Sequence, residues 1–177
     1  MLEMTRLRSL VTLLILCSVV HTVGAADLPK NLVQIDATLT TSAQPGAAYF
    51  DSLAKDGYGM VINLAPPQSE GSLHNEGALV AGNGLIYINI PVDWHNPTAT
   101  DFAFFRAALE GNGGRRTLVH CQLNMRASSF AFLYRVISDN VAPEVALEAV
   151  NAVWVPDETW TKFIEDTLAA NGIEFRL

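Results

Sequence analysis

The chain has 177 residues, half of them hydrophobic, and carries 11 Lys and Arg against 18 Asp and Glu, for a net charge of −7. That length suits one folded unit with one substantial core, and the acidic balance disfavours binding of nucleic acid or an anionic membrane over the whole surface. Five arginines with a single acid, Glu110, nevertheless lie between positions 106 and 135, which leaves room for a local anion site.

The first 26 residues have the layout of a secretory signal peptide. Two arginines precede an apolar run at positions 10–20, and small residues follow it. The run is shorter than the roughly 20 residues of a membrane span, although an uncleaved anchor is the alternative. We expect cleavage after Ala25 or Ala26, which would release residues 27–177 as a single periplasmic or secreted domain without membrane contact.

Cleavage would leave a protein of net charge −8 with one cysteine, Cys121, because Cys17 is lost with the leader. An intramolecular disulfide is then excluded. A lone thiol in an oxidising compartment is either buried and inert or retained for its reactivity. The residues around Cys121 favour the second interpretation.

Predicted strands alternate with predicted helices in the first half of the remaining chain. Residues 33–39 have the pattern of a strand, and Pro45 is well placed to begin a helix. A buried strand is predicted at 60–64 and a short helix at 76–82. A further strand is predicted at 85–90, where Pro91 closes it.

The second half continues the alternation. Thr98 and Asp101 form a capping-box-like start for a helix that ends at a glycine-rich stretch. A short strand at 117–120 follows, and further helices are predicted at about 127–137, 143–153 and 156–170. This order predicts a three-layer α/β fold, with a mostly parallel sheet of about four to five strands flanked by helices.

The residues suited to catalysis and anion binding lie where the strand that ends at His120 leads into a loop and then a helix. Unpaired backbone N–H groups at a helix N-terminus suit a tetrahedral oxyanion, and the same field lowers the pKa of a nearby thiol. Arg126 can bind two anionic oxygens at once. We therefore expect Cys121 to be a nucleophile and the loop to bind phosphate. The loop consists of Gln122, Leu123, Asn124, Met125 and Arg126.

His-Cys, a short loop and Arg resemble the signature of the protein tyrosine and dual-specificity phosphatases. The resemblance implies that Cys121 attacks phosphorus to form a phosphocysteine while Arg126 and the loop amides bind the phosphoryl oxygens. It implies that His120 orients the loop and tunes Cys121, and that Ser128 supports the thiolate as a leaving group. A phosphorylated small molecule or protein is the implied substrate, with no cofactor.

The loop departs from the usual pattern in length. Four residues separate Cys121 from Arg126, whereas the phosphatases usually have five. Four is the spacing of rhodanese-type sulfurtransferases and of a bacterial phosphatase-like branch that also occurs fused to hydrolase domains. The stretch 42–45 and Gly57-Tyr58 resemble the opening of that branch. A persulfide carrier, and a phosphate-binding module with weak catalysis, therefore stay open beside the phosphatase, as does an inert thiol.

An aspartate on a separate loop protonates the leaving oxygen in these phosphatases. Asp93 follows the strand predicted at 85–90 and lies 28 positions before Cys121, which matches that placement. Asp101 is the rival, but its position three residues after Thr98 assigns it to helix capping; a site without a general acid is the third alternative. The histidines lack metal-ligand spacing, so we expect no metal.

Overall fold

Five strands form one sheet in the computed structural model, which describes residues 27–177. The predicted signal peptide and its cleavage site lie outside the described residues. The strands are β1 (Val33–Gln34), β2 (Leu39–Ser42), β3 (Tyr58–Asn63), β4 (Ile86–Asn89) and β5 (Arg116–His120). The helices are α1 (Ala47–Leu53), α2 (Glu76–Gly82), α3 (Ala99–Glu110), α4 (Met125–Ile137), α5 (Pro143–Asn151) and α6 (Glu158–Ala170).

The strand order is β1-β2-β5-β3-β4, and every pair is parallel except the β1-β2 pair. Strand β5 is thus central. Its last residue, His120, pairs with Ser42 of β2 on one side and Asn63 of β3 on the other. The carboxyl ends of three parallel strands consequently meet where β5 leads into Cys121, which is the usual position of ligands in open α/β sheets.

Hydrophobic side chains cover both faces of this sheet. Val61 and Leu118 pack with α1 and α2 on one face, whereas Ile62 and Val119 pack with α3 to α6 on the other. Adjacent strand residues point to opposite faces, so these near-continuous apolar strands fill two separate cores. The predicted three-layer, mostly parallel α/β fold is confirmed.

The strand predicted at 33–39 is wrong in extent, because the segment folds into a hairpin. The Asp36 Oδ1 atom accepts hydrogen bonds from the backbone N–H of Thr38 at 2.7 Å and of Leu39 at 2.9 Å. An aspartate that bonds the backbone just after itself produces a turn. The turn reverses the chain, so β2, rather than the first strand, becomes the parallel neighbour of β5.

Helix bounds follow the capping residues. The Thr98–Asp101 capping box is present, with Asp101 N–H donating to Thr98 Oγ1 at 3.1 Å and Thr98 N–H donating to Asp101 Oδ2 at 3.0 Å. Helix α4 begins at Met125, two residues before the predicted start. No helix among residues 27–177 is long and apolar enough to cross a membrane.

Candidate active site

Cys121 lies directly beyond the end of β5, beneath the loop that leads into α4. The residue is only 1% exposed, and its backbone N–H donates to the carbonyl of Ser42 at 3.3 Å. The predicted order of strand, cysteine, loop and helix is therefore observed, except that Met125 and Arg126 belong to the first turn of α4 and not to the loop.

The backbone carbonyls of the loop are held by the segments beside it. The N–H of Gln44 donates to the Gln122 carbonyl at 3.2 Å, and the Asn31 side chain donates to the Leu123 carbonyl at 3.0 Å. An isolated bridge also joins Ala43 to Leu123. These contacts fix the course of a loop that has no regular secondary structure of its own.

Several backbone N–H groups of this segment, in contrast, have no partner in the described part of the protein. Among the described residues, no acceptor is bound by the backbone N–H groups of Gln122, Leu123, Met125, Arg126 and Ala127. Three of these belong to the first turn of α4, where such groups have no partner inside the helix. The loop therefore offers a set of backbone donors beside Cys121, as a bound oxyanion requires.

Asn124 gives the loop its turn. Its backbone has φ 73°, in the left-handed region, which asparagine tolerates better than most residues. The buried side chain donates to the Asn31 carbonyl at 2.6 Å and to the Thr41 hydroxyl at 3.1 Å. Glycine would adopt this turn more easily, but the asparagine side chain adds two hydrogen bonds that attach the loop to Asn31 and Thr41.

Arg126 is a buried cation that forms no ion pair with any of the described residues. Its side chain is 7% exposed, its Nε atom has no hydrogen-bond partner within residues 27–177, and no carboxylate there forms an ion pair with it. Its guanidinium lies 5.4 Å from the ring centroid of Trp94. Burial of an unpaired charge is costly, so this position favours an anionic ligand.

Trp94 connects Arg126 to the loop that carries Asp93. The indole N–H of Trp160 donates to the Trp94 carbonyl at 3.1 Å, and the Trp94 ring lies 5.3 Å from the rings of both Trp154 and Trp160. Asp93 is exposed and accepts a hydrogen bond from the N–H of its neighbour His95 at 2.9 Å. The structure therefore brings the predicted acid loop beside the predicted arginine.

Asp101, the alternative acid, is occupied elsewhere. Its Oδ2 atom accepts hydrogen bonds from both the N–H and the hydroxyl of Thr98, at 3.0 and 2.7 Å.

Ser128 forms its hydrogen bond within α4, because its hydroxyl donates to the Met125 carbonyl at 3.1 Å. The single hydroxyl proton of Ser128 is used in that bond, so its support of the thiolate stays a prediction.

His120 takes part in a buried polar cluster that the sequence analysis missed. Its Nε2 atom lies 3.0 Å from Oε1 of Glu76, and Glu76 is only 3% exposed. The carboxylate also accepts from Asn63 Nδ2 at 2.9 Å and from Gln44 Nε2 at 2.5 Å. Burial alone would raise the pKa of Glu76, but the hydrogen bond and charge attraction of His120, together with the hydrogen bond from Gln44, hold that pKa below its ordinary value.

A groove of about 620 Å³ runs between α3 and α6 beside His95 and Pro97, but Cys121, His120 and Arg126 do not line it. Within residues 27–177, no group of three or more His, Cys, Asp and Glu side chains is arranged to hold a metal ion.

The architecture matches solved phosphatase-like structures. PTPMT1, solved in complex with PI(5)P, superposes with a TM-score of 0.69 at 19% identity, over 80% of this chain and 96% of that one. TpbA of P. aeruginosa, solved with pTyr, gives a TM-score of 0.63 at 16% identity, over 80% and 90%. The fold of this chain is therefore that of the protein tyrosine and dual-specificity phosphatase-like structures.

A nearer relative defines the family. A candidate phosphatase of the DUF442 group from Shewanella putrefaciens CN-32 is 33% identical, with a TM-score of 0.74, over 80% of this chain and 91% of its own. The chain belongs to the DUF442 family of phosphatase-like proteins.

The curated relatives are longer proteins. A beta-lactamase hydrolase-like protein of Xylella fastidiosa (strain Temecula1) is 33% identical over 110 residues, which cover 60% of this chain. The match spans only 25% of that relative's length. No protein-family model matches the chain.

Proposed function

We propose that this protein is an exported cysteine-dependent phosphatase that hydrolyses a phosphomonoester through a phosphocysteine intermediate. The observation that carries the proposal is the buried Arg126, which follows Cys121 in the same loop-helix segment as five backbone N–H groups; neither Arg126 nor these groups have a partner among residues 27–177. A phosphoryl group has the charge and the several acceptor oxygens to satisfy both sets of donors.

The reaction follows from the roles of three side chains. The Cys121 thiolate forms a bond to phosphorus as the bond to the leaving oxygen breaks, and Asp93 supplies a proton to that oxygen. Water then attacks the phosphocysteine, and the Asp93 carboxylate accepts its proton. Inorganic phosphate leaves and the thiolate is restored, while Arg126 and the loop N–H groups bind the non-bridging oxygens in both steps.

The substrate class is a phosphorylated small molecule or protein. Two structural neighbours support this range, since PTPMT1 was solved with a phosphoinositide and TpbA with phosphotyrosine. No metal or other cofactor enters the proposed reaction, and nucleic acid is not a proposed partner.

The decisive experiment measures phosphate release from a panel of phosphomonoesters by residues 27–177 under reducing conditions. Reduction matters because an activated thiol is readily oxidised. We expect turnover by the unmodified protein, loss of turnover in Cys121→Ser, and a phosphorylated Cys121 adduct detectable by mass spectrometry after rapid acid quench. Equal rates for the protein and Cys121→Ser would contradict the proposal.

Export is a separate part of the proposal, supported by the charged, apolar and small-residue order of the N-terminus. Fractionation of cells that express the full chain, followed by N-terminal sequencing, should recover a periplasmic or secreted form that begins at Ala26 or Asp27. Recovery of the full-length chain in the membrane fraction would support the uncleaved anchor instead.

A sulfurtransferase or persulfide carrier is the second candidate, favoured by the four-residue spacing between Cys121 and Arg126. Thiosulfate treatment would then add one sulfur atom to Cys121, which mass spectrometry would reveal. Tight vanadate binding without turnover of any ester or sulfur donor would instead indicate a phosphate-binding module.

A further inference from the structure

The segment before β1 contacts the phosphate-binding loop at Asn31, a residue with no part in the reaction proposed above. The side-chain amide of Asn31 donates to the Leu123 carbonyl at 3.0 Å. Its backbone carbonyl accepts a hydrogen bond from the side chain of Asn124 at 2.6 Å. One residue near the start of the described chain therefore makes two hydrogen bonds to two consecutive residues of the loop.

The backbone of Asn31 is itself held in place. Its φ of 51° lies in the left-handed region, which asparagine tolerates better than most residues. The preceding carbonyl, that of Lys30, accepts from the N–H of Ala43 at 2.9 Å, and Pro29 is buried. The segment is thus attached to the chain that leaves β2 before it reaches the loop.

The two bonds of Asn31 act on the turn of the loop. The Leu123 carbonyl belongs to the same peptide group as the Asn124 N–H, and the two point in opposite directions in a trans peptide. A bond that fixes this carbonyl therefore fixes the direction of that N–H as well. The second bond holds the side chain of Asn124, the left-handed residue after which α4 begins.

The backbone N–H groups without partners lie on both sides of this turn in sequence. Two belong to residues 122–123 and three to residues 125–127. The orientation of the first set relative to the second consequently depends on the backbone conformation at Asn124.

We propose that Asn31 is a positioning residue for the bound anion, because its two hydrogen bonds hold the Leu123–Asn124 turn in the conformation in which the N–H groups on both sides bind one oxyanion. Any effect on turnover rests on the proposed function, whereas the effect on anion affinity does not require turnover. Coupling is reciprocal, so a bound anion must strengthen the bonds of Asn31 by the same factor.

The test measures the dissociation constants of inorganic phosphate and tungstate, two tetrahedral oxyanions, by isothermal titration calorimetry. Asn31→Gly keeps the left-handed backbone and its carbonyl but removes the side-chain donor. We expect both dissociation constants to rise about two- to tenfold, which corresponds to the loss of one hydrogen bond.

Asn140→Gly is the matched control. Asn140 is also an exposed asparagine in the left-handed region, with φ 56°, but it follows the opposite end of α4. This variant should leave both dissociation constants unchanged. If Asn31 serves only stability, Asn31→Gly will lower the free energy of unfolding while the folded protein keeps its anion affinity, and that result would overturn the inference. Equal losses of affinity in both variants, or no anion binding by the unmodified protein, would overturn it too.

If Asn31→Gly fails to fold, hydrogen exchange in the unmodified protein decides. Phosphate should slow exchange of the Asn31 side-chain amide, because the anion and the Asn31 bonds favour the same loop conformation. An unchanged exchange rate at saturating phosphate would overturn the inference. Weakened anion binding by Asn31→Gly in a protein that hydrolyses no phosphoester would uphold the role of Asn31 and refute the phosphatase. Turnover by the protein with unchanged affinity in Asn31→Gly would do the reverse.

Discussion

Arg126 is the buried cation that we propose binds the phosphoryl oxygens of the substrate. Lysine would keep the positive charge but lose the two parallel N–H donors that match a phosphoryl group. We expect Arg126→Lys to lower kcat/KM by about 10²–10³, comparable with the loss of a donor that stabilises an oxyanion. The same exchange at Arg135, in the last turn of α4, is the matched control and should leave kcat/KM unchanged. Equal effects of the two substitutions would remove Arg126 from the mechanism.

Asp93 and Asp101 can be separated by the same type of substitution. Asp93→Asn should lower kcat by about 10²–10⁴ for esters of weakly acidic alcohols, the range for a positioned general acid, while vanadate affinity is retained. Esters with acidic leaving groups should be affected less, because they need little protonation. Asp101→Asn should lower the free energy of unfolding by about 1 kcal/mol through the weakened cap, with kcat preserved. The reverse pattern would make Asp101 the acid.

Substitutions of Asn124 test whether the stability of the protein depends on the left-handed turn of the loop or on the side-chain hydrogen bonds of Asn124. Glycine keeps the φ of 73° without strain but loses the bonds to Asn31 and Thr41. Alanine loses the same bonds and adds a left-handed penalty of about 1–2 kcal/mol. The free energy of unfolding from denaturant titration should therefore be highest for the unmodified protein, lower for Asn124→Gly and lowest for Asn124→Ala. Equal stability of the glycine and alanine variants would show that the turn relaxes.

At the scale of elements, the β1-β2 hairpin shows how one polar side chain redirects a strand. Asp36 Oδ1 accepts three hydrogen bonds, two from backbone N–H groups and one from the Thr38 hydroxyl at 2.9 Å. The hairpin places β2 against β5 and leads the chain to Ser42, whose carbonyl binds the N–H of Cys121. The turn therefore contributes to the position of the loop from a distance.

Asp36→Ala should accordingly destabilise the protein by about 1–3 kcal/mol, since the N–H groups of Thr38 and Leu39 lose their acceptor. The free energy of unfolding from urea denaturation measures this directly. Glu174→Ala, which removes an exposed carboxylate near the C-terminus, is the control and should change it little. Equal stability of both variants would mean that water replaces the turn bonds at no cost.

At the scale of the whole molecule, the lowered pKa of Glu76 links stability to pH. A carboxyl whose pKa is lower in the folded state binds fewer protons when folded, so its contribution to stability is present above its ordinary value of 4.5. That contribution is lost as the pH falls through the lower, folded value. The unfolding free energy of the protein should thus decline more steeply below pH 4.5 than that of Glu76→Gln. Parallel curves would show that folding does not lower the pKa of Glu76.

Sequence patterns were sufficient for the elements with local signals. The capping box at Thr98, the buried strands β3 and β5, and the loop from Cys121 to Arg126 could each be predicted, because their signals lie within a few consecutive residues. The hairpin at Asp36 was missed since the apolar pattern of 33–39 outweighed one turn-forming aspartate. Glu76 was assigned only to a helix start, because nothing local connects it to His120.

The sequence by itself thus determined the class of fold and the spacing between Cys121 and Arg126, and the resemblance predicts their roles as nucleophile and anion ligand. Tertiary structure decided what surrounds these groups: the Trp94 ring against Arg126, the Asn31 and Gln44 bonds that hold the loop, and the Glu76 carboxylate beneath His120. Periodicity and capping act over a few residues, whereas burial and charge compensation depend on segments that only the folded sheet brings together.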